Sequence, residues 1–256
     1  MILAIDVGNT NIVIGCIDDE KVYFTERLST DKSKTELEYM MAFKTLFELY
    51  SIDMEQVEGG VISSVVPPVV NVLVRAVEKY IGKKPYVVGP NIKTDLPIKM
   101  DHPNTLGSDL IVDAVAGIKE YGAPLIIIDM GTATTMSAVD KDGNYVGGII
   151  GPGVRLSMEA LASNAAQLNK VSLECPKNAI GKNTIDCMKS GLILGEACMI
   201  DGLIERMEEE LGYETTVVAT GGLAKMVVPL CKKKIQIDYN LLLKGLKIIY
   251  DKNVER

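Results

Sequence analysis

Short apolar runs of strand length open the chain, and longer stretches follow in which apolar residues recur at helical spacing. Strands are predicted over residues 2–8, 11–17 and 22–28, because turn residues separate these apolar runs. A helix is predicted over 36–50, where apolar side chains recur every three or four residues. The first half is completed by a strand over 60–66, a helix over 69–81, a strand over 85–88 and a helix over 108–121.

The second half of the chain repeats this order of elements. Its strands are predicted over 125–129, 134–139, 145–150 and 216–219, and its helices over 153–165, 184–211 and 240–252. Three strands followed by alternating helices and strands is the order of a ribonuclease H-like domain. We therefore predict an α/β protein with two ribonuclease H-like domains, residues 1–121 and 122–256, each with a mixed sheet flanked by helices.

Two copies of one short motif stand at the ends of the first strand in each half. Asp6 precedes Val-Gly-Asn-Thr-Asn, and Asp129 precedes Met-Gly-Thr-Ala-Thr. Glycine tolerates the positive φ of a tight turn, and the N–H groups of such a turn can bind phosphate oxygens. An aspartate at a strand end can hold a divalent cation, directly or through water. Because the motif occurs twice, we predict two related halves with a nucleotide cleft between them.

Composition narrows the possible partners. The net charge is −7 and the pI is about 5.0, which does not favour nucleic acid or an anionic membrane. With no Trp and three Phe, the chain has few platforms on which bases could stack. The longest apolar runs are too short to span a membrane, and no secretory signal pattern opens the chain. We expect a cytoplasmic protein that binds neither nucleic acid nor membranes.

Metal-binding side chains other than carboxylates are sparse. The five cysteines are scattered without a Cys-x-x-Cys pair, so we expect reduced thiols and neither zinc ligands nor disulfides. The single histidine, His102, cannot complete a histidine-rich metal site. It is either a catalytic base or a polar surface residue.

Seven short motifs follow one another in the order found in one family of kinases. They are Asp6-x-Gly-Asn-Thr-Asn11, Ser63-Ser-Val-Val-Pro67, Leu106-Gly-Ser-Asp109, Asp129-x-Gly-Thr-Ala-Thr-Thr135, Gly147-Gly-x-Ile-x-Pro-Gly153, Gly181-Lys-Asn-Thr184 and Ala219-Thr-Gly-Gly-Leu-Ala224. Three of them resemble the phosphate and adenosine motifs of the acetate and sugar kinase, heat-shock chaperone and actin superfamily. The full set resembles the type III pantothenate kinase family. This resemblance implies ATP-dependent phosphorylation of pantothenate to 4′-phosphopantothenate, the first step of coenzyme A biosynthesis.

The resemblance also implies roles for individual residues. Asp6 and Asp129 are expected to hold Mg2+ and to organise the ATP phosphates. Asp109 is expected to be the general base that accepts the proton of the acceptor hydroxyl, and it can also cap the helix that follows. The other residues expected to bind ATP are Gly8, Asn9, Thr10, Asn11, Gly131, Thr132, Thr134, Gly221 and Gly222. Those expected to bind the acceptor are Met100, Gly107, Asp109, Leu110 and Thr184.

Two positions depart from the family pattern. Leu110 stands where the family has Arg after the base, and Met100 stands where the family commonly has Tyr. Leucine cannot replace the charge and the paired donors of arginine, so the acceptor half of the site is expected to be altered and the ATP half intact. Arg155 is either a compensating cation or a solvated helix charge.

Three functions are compatible with these residues. The first is an active pantothenate kinase, the second a kinase of the same fold for another small hydroxylated acceptor, and the third a non-catalytic nucleotide-binding homologue. Retention of Asp6, Asp109 and Asp129 disfavours the third. The resemblance further implies a monovalent cation, K+ or NH4+, and a homodimer in which Thr184 reaches the pantothenate of the neighbouring subunit.

Overall fold

The computed structural model describes residues 1–165 and 167–254 of an α/β protein with two mixed sheets flanked by helices. Ala166, Glu255 and Arg256, which fall in the predicted second domain, lie outside the described residues. Among the described residues, no helix is both long and apolar enough to cross a membrane.

The chain packs into two compact units. The first comprises Met1–Leu96, Asp101–Ala116 and the described residues from 240 onwards, and the second comprises Pro97–Met100 and Gly117–Tyr239. These units are defined by packing, whereas the predicted division into residues 1–121 and 122–256 concerns the two repeated halves and stays a prediction.

The sheet of the first unit has the order β3-β2-β1-β4-β5. Its strands are β1 (Ile2–Val7), β2 (Asn11–Ile17), β3 (Val22–Ser29), β4 (Gly59–Ser64) and β5 (Tyr86–Val87). β1 pairs antiparallel with β2 and parallel with β4, and it is buried along its whole length. A central strand covered on both faces is expected to be continuously apolar, as the run Ile-Leu-Ala-Ile is.

The helices of this unit are α1 (Glu36–Leu49), α2 (Pro67–Ile81), α8 (Leu241–Asn253) and α3 (Ser108–Tyr121) up to Ala116. α1 begins with a capping box between Thr35 and Glu38, and α2 begins with two prolines, whose missing N–H groups cost nothing in a first turn. α8 packs against β1, β2 and β4, where glycines leave room for its side chains.

The sheet of the second unit has the order β10-β9-β6-β7-β8. Its strands are β6 (Leu125–Met130), β7 (Ala133–Val139), β8 (Tyr145–Pro152), β9 (Thr216–Thr220) and β10 (Gln236–Ile237). The central strand β6 pairs antiparallel with β7 and parallel with β9, so it repeats the arrangement of β1. The predicted strands and the observed strands agree within one or two residues at most ends.

The helices of the second unit are α4 (Val154–Asn164), α5 (Thr184–Lys189), α6 (Gly195–Leu211) and the short α7 (Ala224–Val227). The single helix predicted over 184–211 is wrong in one respect, because a π-helical segment, Ser190–Leu194, separates α5 from α6. The apolar spacing of the sequence does not distinguish a single π turn from the α-helical turns on either side of it.

Candidate active site

The first aspartate motif forms the turn between β1 and β2. Asp6 is 8% exposed and pairs in register with Val13 on β2 and Ser63 on β4. The Gly8 N–H donates to the Asn11 carbonyl at 3.0 Å, and a Cβ at Gly8 would lie 3.2 Å from that same oxygen. The turn is therefore tight at the position that the sequence reserves for glycine.

Thr30 holds this turn from the neighbouring strand end. Its hydroxyl donates to the Gly8 carbonyl at 2.6 Å, and its N–H donates to the Thr10 carbonyl at 3.0 Å. Asn9, Thr10 and Asn11 are exposed. Thr30 thus fixes the Gly8 and Thr10 carbonyl groups. The tip of the turn faces solvent, where a phosphate group can reach it.

Asp109 lies in the first turn of α3. Its Oδ1 accepts the N–H of Leu110 at 2.9 Å, and a Cβ on Gly107 would lie only 2.4 Å from the same oxygen. Burial raises the pKa of Asp109 above the ordinary aspartate value, and backbone N–H groups oppose that rise. A carboxylate with a raised pKa accepts a proton more readily than a fully solvated one.

A pair of serines connects the start of α3 with the end of β4. The Ser63 hydroxyl donates to the Ser108 hydroxyl at 2.9 Å, and Ser63 is fully buried beside Asp6 in the sheet. This bond places the helix turn that carries Asp109 at the strand ends of the first unit. The hydrogen bond between the two serines is not evident from the sequence, although the double serine that ends β4 is a possible signal.

The second aspartate motif forms the turn between β6 and β7. Asp129 pairs in register with Thr135 and Thr220, and the Gly131 N–H donates to the Ala133 carbonyl at 3.0 Å. Only residues 131–133 separate the paired Met130 and Thr134, whereas residues 8–11 separate the paired Val7 and Ile12. The second turn is thus one residue shorter than the first.

Thr134 directly follows this shorter turn. This residue lies within β7, is 3% exposed, and donates its hydroxyl to the Glu196 carboxylate at 2.5 Å. Glu196 is itself buried at the start of α6, and burial raises its pKa. The expected contact of Thr134 with ATP stays a prediction, and the observed contact joins β7 to α6. Sequence reasoning missed Glu196 because it lies in an ordinary helical pattern far along the chain.

Two glycines pack directly on the second turn. Gly221 has a φ of +90°, and a Cβ there would lie 2.5 Å from Oδ1 of Asp129. Gly153 donates its N–H to the Thr132 carbonyl at 3.2 Å, and a Cβ there would lie 2.7 Å from the Gly131 carbonyl. The motif that begins at Asp129, the motif that ends at Gly153 and the motif that contains Gly221 are therefore brought together within this unit. Gly222 and Thr132 are exposed beside them.

Comparison with known proteins identifies the family. The family model described as Type III pantothenate kinase matches residues 2–206. A type III pantothenate kinase from an Exiguobacterium strain is 47% identical over 99% of both chains, and one from Bacillus cytotoxicus is 45% identical over 99% of this chain and 97% of its own. The chain belongs to the type III pantothenate kinase family.

This assignment makes the protein a small-molecule kinase, as the resemblance implied. A solved structure supports the fold. The activator of the 2-hydroxyisocaproyl-CoA dehydratase from Clostridium difficile with bound ADPNP has a TM-score of 0.57 and 12% identity, and the match covers 100% of this chain and 98% of that one. The predicted α/β fold with two mixed sheets is therefore confirmed, and it is shared with that structure.

The residues that depart from the type III pantothenate kinase pattern lie in two places. Leu110 is half-buried in the first turn of α3. Met100 is half-buried and follows a segment that pairs with the first residue of β8, where Lys99 donates its N–H to the Tyr145 carbonyl at 2.8 Å.

Two further residues singled out in the sequence are exposed. Arg155 is exposed on α4, and Thr184 is exposed as the first residue of α5.

The chemistry of the aspartates suits Mg2+. No group of three or more His, Cys, Asp or Glu side chains could hold a metal ion within the described parts of the chain. Mg2+ is commonly held by one or two carboxylates together with substrate phosphates and water, so a complete protein cage is not required. Asp6 and Asp129 each place one carboxylate at a turn of their own unit, and each is a donor of the kind that Mg2+ takes.

Proposed function

We propose that this protein transfers the γ-phosphoryl group of ATP to pantothenate and forms 4′-phosphopantothenate, the first step of coenzyme A biosynthesis. Full-length relatives with that name support the choice of reaction. The structural observation that carries it is Asp109, a half-buried carboxylate with a raised pKa at the start of a helix. Such a group suits proton acceptance from a substrate alcohol.

In the proposed reaction the pantothenate hydroxyl oxygen bonds to the γ-phosphorus as the bond from that phosphorus to the β–γ bridging oxygen breaks. The hydroxyl proton passes to Asp109, and ADP leaves with the bridging oxygen. The Leu110 N–H fixes one carboxylate oxygen of Asp109, and the close approach of Gly107 limits the rotation of that carboxylate. The acid form of Asp109 then loses its proton to solvent to restore the base.

We propose the Gly8–Asn11 turn and the Gly131–Thr132 turn as the two phosphate-binding segments, with Gly221 and Gly222 against the adenosine. Asp6 and Asp129 would hold Mg2+. When bound, Mg2+ neutralises charge on the phosphates and the leaving group. A requirement for K+ or NH4+ is part of the same proposal and rests on the family resemblance.

We also propose a homodimer in the cytoplasm. Support comes from apolar side chains that the second unit exposes, with Ile150 on the edge strand β8 at 75%, Ile180 at 82% and Ile185 at 54%. Thr184, which the family resemblance assigns to the pantothenate of the neighbouring subunit, is exposed next to Ile185. Light scattering at micromolar concentration should give the mass of a dimer. A monomer would remove Thr184 from the proposed acceptor site.

The proposal is tested by the consumption of ATP in the presence of a panel of small alcohols that includes pantothenate. We expect turnover with pantothenate in the parent protein and its loss in Asp109→Asn, which keeps the size of the side chain but cannot accept the proton. Turnover with another alcohol alone would instead favour a kinase for a different acceptor, the alternative raised by Leu110 and Met100.

A further inference from the structure

We infer that the side chains of Ser63 and Ser108 are positioning residues for the Asp109 base, and that they set its burial and its orientation. The inference rests on the proposed function, because Asp109 has to be the base for its position to affect the rate of phosphoryl transfer.

The two serine hydroxyl groups form a small and fully satisfied network. The Ser108 hydroxyl accepts from the Ser63 hydroxyl at 2.9 Å and from the Ser64 N–H at 3.0 Å, and it donates to the Ser64 carbonyl at 3.1 Å. All three bonds run to the end of β4. The first side chain of α3 therefore anchors its helix to the strand.

This anchor decides where the next residue of the helix lies. Asp109 follows Ser108 directly, and its carboxylate is confined by the Leu110 N–H on one side and by Gly107 on the other. Because these groups belong to the same short segment, they move with the helix start. The serine network fixes that segment to the sheet. A displacement of about 1 Å at a reacting group can lower a rate on the order of 10²-fold.

The surroundings of Asp109 link this position to a measurable pKa. Burial raises its pKa, while the N–H groups of Leu110 and of Asp109 itself lower it, and no charged side chain of the described residues is among the causes. A helix start released from β4 would let water reach the carboxylate, so the pKa of Asp109 would fall towards its ordinary value.

The kinetic test compares Ser63→Ala and Ser108→Ala with the parent protein. Each is expected to lower kcat by about tenfold, because a base displaced by less than 1 Å loses less than the roughly 10²-fold of a full 1 Å displacement, while KM for ATP stays within about twofold. The acidic limb of the pH profile of kcat/KM should move to lower pH, because the base loses its proton more easily. A merely structural loss would reduce the active fraction equally at every pH.

Ser64→Ala is the matched control. Its hydroxyl stands at the same strand end but accepts the Val66 N–H at 3.0 Å, and it takes no part in the bonds to Ser108. Its backbone groups, which do contact Ser108, are unchanged by the substitution. We expect the kcat and the pH profile of Ser64→Ala to match those of the parent.

A measurement without turnover separates this inference from the proposed function. Carbon-13 NMR titration of the Asp109 carboxyl should give a lower pKa in Ser63→Ala and in Ser108→Ala than in the parent, whether or not pantothenate is the acceptor. An unchanged Asp109 pKa together with parent-like kcat in these variants would overturn the inference. If the buried Ser63→Ala variant does not fold, the half-buried Ser108→Ala supplies the same comparison.

Discussion

Gly221 is the position at which one added methyl group should damage the second aspartate motif most. A Cβ there would lie 2.5 Å from Oδ1 of Asp129 and 2.6 Å from the Met130 nitrogen, and the residue has a φ of +90°. Two of these obstacles are backbone features, because the φ value belongs to the turn that follows β9 and the Met130 nitrogen belongs to β6. Gly221→Ala should therefore strain the turn and displace the Asp129 carboxylate.

A second glycine of the same unit separates the two contributions to the loss of stability in Gly221→Ala. Gly212 has a φ of +81°, and a Cβ there would meet nothing within 4 Å. Gly212→Ala should cost only the left-handed conformation, about 1–2 kcal/mol of the free energy of unfolding. Gly221→Ala should add an overpacking cost of about 1–3 kcal/mol, for a total of about 2–5 kcal/mol.

The assay is urea unfolding of both variants, followed by steady-state kinetics under conditions in which both are folded. Gly212→Ala should keep the parent kcat, whereas Gly221→Ala should lose kcat on the order of 10²-fold, as expected for a reacting group displaced by about 1 Å. Equal stability of the two variants with parent-like kcat in both would refute the reasoning. It would show that the contact between Gly221 and Asp129 has no energetic consequence.

Three further predictions concern the metal, the acceptor and the buried glutamate. Asp6→Asn and Asp129→Asn should each abolish phosphoryl transfer with the fold retained, because each removes a negative charge that balances Mg2+. Circular dichroism checks the fold, and ATP turnover checks the activity. Near-parent turnover in either variant would contradict the proposed role of the two aspartate motifs. Leu110→Arg, alone or with Met100→Tyr, should lower KM for pantothenate by roughly one to two orders of magnitude, since a charge-assisted hydrogen bond contributes about 1.5–3 kcal/mol. A parent KM already in the ordinary micromolar range would contradict this prediction and would make Arg155 the first candidate for the compensating cation. Burial raises the pKa of Glu196 above its usual value of 4.5, so the folded state binds the proton more tightly than the unfolded state. The stability of the parent relative to Glu196→Gln should therefore fall as the pH rises from the unfolded-state pKa of Glu196 through its raised folded-state pKa. Urea unfolding of both proteins between about pH 4 and pH 8 measures this difference. A stability difference that does not change with pH would contradict the prediction.

The sequence predicts the elements of this fold well because their causes are local. Apolar runs broken by turn residues define the hairpins, and the two prolines that begin α2 and the capping box of α1 mark helix starts. The repeated Asp-x-Gly turn predicts two related halves, and β1 and β6 are indeed the equivalent central strands of the two sheets.

Contacts between residues that are far apart in the chain cannot be predicted from this sequence alone. Ser63 and Ser108 are separated by 45 positions, and Thr134 and Glu196 by 62, and neither pair carries a periodic signal. The length of the second turn depends on the strand register, which motif alignment does not define. The sequence predicts Thr134 both as the first residue of a strand and as an ATP ligand; the residue lies within β7, and its hydroxyl contact with Glu196 has no signal in the sequence.

The central claim is that Asp109 accepts the proton of pantothenate during phosphoryl transfer from ATP. Mass spectrometry of the product made by the purified protein tests this most directly, with the parent and Asp109→Asn assayed side by side at saturating ATP. The account predicts that the parent accumulates 4′-phosphopantothenate with one ADP per product, and that Asp109→Asn makes it slower by about 10²–10⁴-fold. Equal rates of product formation by the two proteins, or ADP released by the parent without phosphopantothenate, would contradict it.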